Sequence, residues 1–179
     1  LAIWQVCVVL ILLALVVATR RGPWDPDELK YAQIVQSMQS ASNLCVPHLW
    51  GNVYANKPPL YFWLVLASAR LLGGVGLPAL LAPVVLAACG LVWLVFHIGS
   101  RCFGQRVGML SGIVLASLPL FVVCAQIGRM DMLFAVTISA ATYLFYRGYV
   151  EDCRWAKLAS FACMGAAALA ILPTGWRVK

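Results

Sequence analysis

Asp27 and Asp131, with Lys57 and Arg129, are the residues of this sequence whose types and surroundings suit chemistry. Asp131 adjoins Arg129 at the junction of two apolar stretches. Ionisable residues at membrane depth are costly unless they pair or face a polar cavity. The Arg129–Asp131 pair therefore marks either a tight turn whose charges meet headgroups and each other, or a polar site. Asp27 and Glu28 have a capping use: with Asp25 as N-cap and Pro26 at the first helical position, Glu28 completes a capping-box spacing. The box leaves Asp27 free, and Tyr31 follows it by one helical turn, so both can look at the same ligand. Lys57, before Pro58-Pro59, is either a snorkelling interfacial lysine or a cation for an anionic ligand. His48, after Pro47, reads as structural in such a loop, and His97, near the end of an apolar stretch, is given no function.

The elements that position these residues follow from composition. With 63% hydrophobic and 11% charged residues and a mean hydropathy of +0.90, the chain is far more apolar than a soluble protein. Its net charge of +7 comes from thirteen Lys and Arg scattered singly between apolar runs, which argues against nucleic acid as a partner and for headgroups or a phosphorylated lipid. The seven cysteines, Cys7, Cys45, Cys89, Cys102, Cys124, Cys153 and Cys163, lie mostly inside apolar segments without metal-ligand spacing. They read as small hydrophobes, with no disulfide framework expected. The chain opens on Leu1 and stops at Trp176-Arg177-Val178-Lys179, and is read as a fragment of a longer protein.

The pattern predicts an all-α, polytopic transmembrane helix bundle. Spans are expected near 1–19, 77–99, 107–125, 131–150 and 157–172, and the outer loop 20–76 is expected to hold membrane-surface helices at 26–41 and 60–72. In the first of these, Tyr31, Ile34, Val35, Met38 and Ala41 form an apolar stripe. The second runs from Lys57-Pro58-Pro59 to Gly73-Gly74, carries Arg70 and is too short to cross. If it does not cross, loop 20–76 and the turn 126–131 share one side. Loops 101–106 and 147–157, with Arg101, Arg106, Arg147, Arg154 and Lys157, then share the other, which the charge bias makes cytoplasmic. Arg20 and Arg21 run against that bias. Were 60–72 a span, Asp27 and Asp131 would lie on opposite faces.

Three strings in the first loop carry a family resemblance: Asp27-Glu28-Leu29-Lys30-Tyr31-Ala32, Val46-Pro47-His48, and Gly51-Asn52-Val53-Tyr54-Ala55-Asn56-Lys57-Pro58-Pro59-Leu60. With the later Gly128-Arg129-Met130-Asp131-Met132-Leu133, they resemble the GT-C membrane glycosyltransferases, in the branch holding the lipid A aminoarabinose transferases and the dolichyl-phosphate-mannose-protein mannosyltransferases. The resemblance runs over residues 22–172 and implies an integral protein of the bacterial inner membrane, with its active site facing the periplasm.

What the resemblance implies is inverting transfer of a sugar from a polyprenyl-phosphate carrier to a lipid A, protein or glycan acceptor. By position, Asp27 resembles the essential carboxylate of the first loop and Asp131 the second acid, which makes both catalytic; Tyr31, Tyr54 and Lys57 match donor-site positions, and with Arg129, Glu28 and His48 they are expected to bind the donor phosphate or substrate. Two departures stand out. Asn56 replaces an acid associated with metal binding, which leaves the metal unknown and a divalent ion open as a cofactor, and Leu172-Pro173-Thr174-Gly175-Trp176 departs from a Thr-Lys-Gly-Pro-like motif. Two other readings remain: a transporter or channel-like bundle with Asp27, Arg129 and Asp131 along a polar path, and an inactive truncated remnant of the glycosyltransferase.

Overall fold

The computed structural model describes residues 2–22, 26–39, 44, 46–54, 56–57 and 59–171. Its helices are α1 (Ala2–Arg20), α2 (Asp27–Ser37), α3 (Leu60–Leu72), α4 (Leu77–Phe103), α5 (Gln105–Ser117), α6 (Pro119–Ala125), α7 (Asp131–Val150) and α8 (Arg154–Ile171), with strands β1 (His48–Leu49) and β2 (Asn52–Val53) between α2 and α3. Asp25, Ala41, Cys45, Ala55, Pro58 and residues 172–176 lie outside the described residues.

Helix α4 is the axis. It runs 27 residues, about 40 Å at the helical rise, and packs against α1, α3, α5 and α7. Helices α1 and α4 are long and apolar enough to cross a membrane. Helix α1 turns Trp4, Val9, Leu12, Leu15 and Val16 outward, as a lipid-facing helix does. Helices α7 and α8 have 20 and 18 residues and are less apolar than those two.

One expected span differs. Residues 107–125 form not one helix but two, α5 and α6, bent by 70°. The cause is Pro119: its ring disfavours helical backbone at the preceding residue, and Leu118 is accordingly extended at φ −66°, ψ 124°. Pro119 then opens α6, where its missing N–H costs nothing.

Helix α2 also departs from expectation. It begins at Asp27, its N-cap is Pro26, and no side-chain hydrogen bond caps it there; the expected N-cap, Asp25, lies outside the described residues. Its apolar stripe is covered by protein: Tyr31, Ile34, Val35 and Met38 are buried in a core shared with Tyr61, Phe62 and Val65 of α3 and Leu80 and Val84 of α4. Helix α3 ends on Gly73 at φ 82°, and the Gly74 N–H returns to the Ala69 carbonyl at 2.9 Å, a left-handed cap that glycine adopts without strain. The Tyr61 hydroxyl donates to the Leu80 carbonyl at 3.1 Å, tying α3 to the first turn of α4.

The hairpin β1–β2 was not anticipated. Trp50 and Gly51, at φ 52° and 80°, turn between antiparallel partners His48↔Val53 and Leu49↔Asn52, the two-residue geometry with both central residues left-handed.

Charge pairs define the two ends of the axis. Arg101, ending α4, and Arg147, in the last turn of α7, both bind Glu151, and Lys157 of α8 binds Asp152. The start of α4 lies instead against the turn before α7, with Leu80 beside Gly128. The α4–α5 crossing is close enough that a Cβ on Gly108 would meet the Ser100 side chain, with the Ser100 backbone nitrogen at 2.5 Å and the Phe96 carbonyl at 2.6 Å. A Cβ on Gly165 of α8 would meet nothing within 4 Å outside its own helix backbone. Gly108→Ala is therefore expected to destabilise the protein by about 1–3 kcal/mol, while Gly165→Ala is neutral or slightly stabilising; thermal unfolding of both variants in detergent checks the contrast.

Candidate active site at the start of the axis

The site is built around a buried carboxylate that sequence reasoning assigned elsewhere. Glu28 is 0% exposed. Its two oxygens take both terminal nitrogens of Arg21, at 2.9 and 3.0 Å, and one also accepts the Gly128 N–H at 2.7 Å. Arg21 further donates to the Gln126 carbonyl at 2.9 Å. A planar guanidinium facing a carboxylate through two parallel bonds is strong and directional. Here it fastens the end of α1 and the start of α2 to a turn a hundred residues later. Any side chain at position 128 would crowd Glu28 and Leu80, whose atoms lie 3.2–3.4 Å from where its Cβ would stand. Glu28 thus does not open to a ligand; it holds the first loop against the turn 126–131.

The clasp sets the next layer. Arg129, one residue beyond Gly128, places Nη2 3.1 Å from Asp27 Oδ2 and Nε 3.8 Å from Asp131 Oδ2. Asp27 also meets Lys30 at 4.0 Å. Asp27 and Asp131 therefore share one guanidinium, at one end of the bundle. All three side chains are partly exposed, from 34% for Asp27 to 52% for Asp131, as groups facing a ligand must be.

Aromatic residues floor this cluster. Tyr31 is buried, with edge-on contacts to Tyr61 and Phe62 at ring separations of 5.8 and 5.6 Å, and Tyr54 approaches Phe62 at 6.4 Å. Burial, reinforced by Asp27, pushes the Tyr31 phenol up to about 12. The same two causes in the same order raise Tyr54. Both tyrosines are thus within the field of Asp27 and stay neutral hydrogen-bonding groups.

Lys57 is half-buried and forms no ion pair among the described residues. His48 serves the loop: its Nδ1 lies 2.8 Å from the Val46 carbonyl, and its own carbonyl accepts from Ser37 at 2.9 Å. A resident metal is not supported by this donor set. Asp27 and Asp131 both turn to Arg129, Asn56 offers no charge, and no group of three or more His, Cys, Asp or Glu converges among the described residues. Sequence reasoning missed Arg21 and Gln126. The available signal was the position of Arg21 against the charge bias used to orient the chain, since a cation that defies the bias has a use of its own.

Known proteins share this fold and part of this sequence. Residues 56–174 match the dolichyl-phosphate-mannose-protein mannosyltransferase family. The chain is 27% identical over 150 residues to the undecaprenyl phosphate-alpha-4-amino-4-deoxy-L-arabinose arabinosyl transferase of Enterobacter sp. (strain 638), covering 82% of this chain and 27% of that protein. It is 26% identical over 167 residues to the Aeromonas salmonicida enzyme of the same name, covering 92% of this chain and 30% of that protein. Among solved structures, ArnT from Cupriavidus metallidurans bound to undecaprenyl phosphate superposes with a TM-score of 0.81 at 26% identity, over 92% of this chain and 32% of that one. The same protein in the apo state gives 0.79 at 27% identity. The chain thus spans about a third or less of the length of these relatives.

Two results are expected from the site's electrostatics. Glu28→Ala removes the partner of Arg21 and the acceptor of Gly128, and is expected to lower stability by about 3–5 kcal/mol. The Arg21→Leu/Glu28→Ala double variant is expected to lose less than the sum of the single losses, as read by thermal unfolding; additive losses would mean that the pair is not coupled. For Tyr31, the unfolded chain deprotonates near the ordinary value of 10.0 and the folded chain near 12. The stabilisation is complete below the first value and lost as pH rises through the second. The phenolate absorbance missing from Tyr31→Phe should accordingly titrate near 12 rather than 10.

Proposed function

The chain belongs to the dolichyl-phosphate-mannose-protein mannosyltransferase family, and from this premise we propose that it supplies the catalytic end of an enzyme that transfers a sugar from a polyprenyl-phosphate carrier. The acceptor is a lipid A-like, protein or glycan hydroxyl or phosphate on the periplasmic side of the inner membrane. The observation that carries the reading is the single guanidinium of Arg129 held between Asp27 and Asp131. The first loop and the later turn each contribute one acid to it. The likeness to a transferase structure holding undecaprenyl phosphate supports the choice of carrier.

In the proposed reaction the anomeric C–O bond to the phosphate breaks, and its electron pair leaves with the polyprenyl phosphate. The new C–O bond forms to the acceptor on the opposite face, which inverts the centre. Negative charge builds on the leaving phosphate, so cations fixed there lower the barrier. Arg129 has five N–H donors, enough to hold a phosphate oxygen while keeping its carboxylates, and Lys57 is the second cation. Asp27 takes the proton of an acceptor hydroxyl as general base. Where the acceptor is an anionic phosphate there is no proton to take, and Asp27 orients it. Asp131 holds Arg129 from the other side, and Tyr31 and Tyr54 supply neutral hydroxyls beside Asp27.

The transporter alternative finds no support. The charged residues of α4, α7 and α8 lie in the terminal turns, at Arg101, Asp131, Arg147, Arg154 and Lys157, whereas a transport path needs polar groups at mid-span.

The test is transfer from undecaprenyl phosphate-alpha-4-amino-4-deoxy-L-arabinose to a lipid A acceptor by the natural full-length protein in proteoliposomes. Asp27→Asn is expected to lower kcat by about 10²–10⁴ while leaving binding of undecaprenyl phosphate within a few-fold. A wild-type rate in Asp27→Asn removes Asp27 from the mechanism.

A further inference from the structure

Gln126 ends α6 and begins the turn that carries Gly128, Arg129 and Asp131. Its backbone carbonyl is committed to Arg21, but its side chain is not committed to anything. Both carboxamide atoms, Nε2 and Oε1, are buried and make no hydrogen bond. The other buried unpaired side-chain atoms among the described residues are single hydroxyls, those of Ser100 and Tyr143, in the halves of α4 and α7 that lead to Glu151. Among the described residues, only Gln126 leaves two side-chain atoms unpaired, and it does so at the end that holds Arg129.

An amide removed from water with neither end satisfied is costly, and native structures leave few such groups without a reason. Its polar neighbours are already spent, Arg21 on Glu28 and the Gln126 carbonyl, and Glu28 on Arg21 and Gly128. No described residue supplies the missing partner. Its chemistry is set by what a carboxamide offers, two N–H donors and one acceptor without charge. A phosphate only accepts and is served by the cations, and a prenyl chain does neither. A sugar hydroxyl or amine donates and accepts at once.

We propose that the Gln126 carboxamide binds the sugar of the polyprenyl-phosphate donor, pairing with a ring hydroxyl or amine through both of its unspent atoms. The inference rests on the proposed function and assigns that site a residue for reading the sugar, distinct from the groups that hold the phosphate.

The experiment measures binding of two lipids, undecaprenyl phosphate and undecaprenyl phosphate-alpha-4-amino-4-deoxy-L-arabinose, to the full-length protein in nanodiscs, with Gln126→Leu and the closer isostere Gln126→Met beside the wild type. The wild type should bind the glycosylated lipid more tightly than the bare one. Both variants should lose about tenfold for the glycosylated lipid, the scale of one or two neutral hydrogen bonds, and nothing for the bare one. Without ligand they should unfold at the wild-type temperature or above it, because an apolar group removes an unpaired polar one. An unchanged preference for the glycosylated lipid overturns the inference and leaves the proposed function standing. So does an equal loss for both lipids, or a lowered unfolding temperature, either of which makes Gln126 structural. A wild type that binds neither lipid overturns the proposed function and this inference together.

Discussion

The bond between the Glu28 carboxylate and the Arg21 guanidinium, with the Gly128 N–H as third partner, is the constraint on which the candidate site depends. Helices α1 and α2 flank a short connection, and the turn before α7 is a hundred residues away in sequence. Packing alone brings α4 near both, but it does not fix them in register. A buried carboxylate does, because separating it from its partners leaves a buried charge uncompensated, at a cost well above that of an ordinary hydrogen bond. With Glu28 held, Asp27 beside it and Arg129 next to Gly128 have little freedom to be anywhere but in contact.

The outer layer trades rigidity for access. Arg129, Asp27 and Asp131 are partly exposed, so their attraction is screened and weak as a contribution to stability. Their value under the proposed function is chemical. A guanidinium between two carboxylates is a cation whose position is fixed before substrate arrives, and in the proposed reaction the charge that develops on a leaving phosphate meets a dipole that need not reorganise. The buried aromatic floor of Tyr31, Tyr61 and Phe62 keeps this cluster from sinking into the core, and α2 buries its apolar stripe to build that floor. The bend at Pro119 delivers the chain from α6 into the turn at Gln126, which a straight continuation of α5 would carry elsewhere.

Much of this was legible in the sequence, because helices in apolar surroundings announce themselves through length and hydrophobicity. The ends of α1, α3 and α7 fall within a residue or two of where Arg20-Arg21, Gly73-Gly74 and Asp131 suggested. Asp27, Tyr31, Arg129 and Asp131 could be named from residue type and family resemblance, and the structure brings them together. What could not be read were choices made in three dimensions. Glu28 has a sequence neighbourhood suited to a cap, yet it takes the guanidinium of Arg21 and, a hundred residues on, the Gly128 N–H, a partner that no local pattern announces. The stripe on α2 suited a membrane surface equally well as a protein core, since the pattern is the same for both and only the presence of α3 decides. The hairpin at Trp50-Gly51 lacks the Asn-Gly or Asp-Gly pair that usually signals such a turn.

The central claim, that Asp27 and Asp131 face the same side because residues 60–72 do not cross, is tested most directly by labelling with an impermeant thiol reagent in intact cells. Single cysteines at positions 27, 57, 104, 131 and 152 are compared in a background without native cysteines. The account predicts that 27, 57 and 131 label from outside, while 104 and 152 label only after the membrane is opened. Protection of 131 in cells where 27 labels would place the two acids on opposite faces and contradict it.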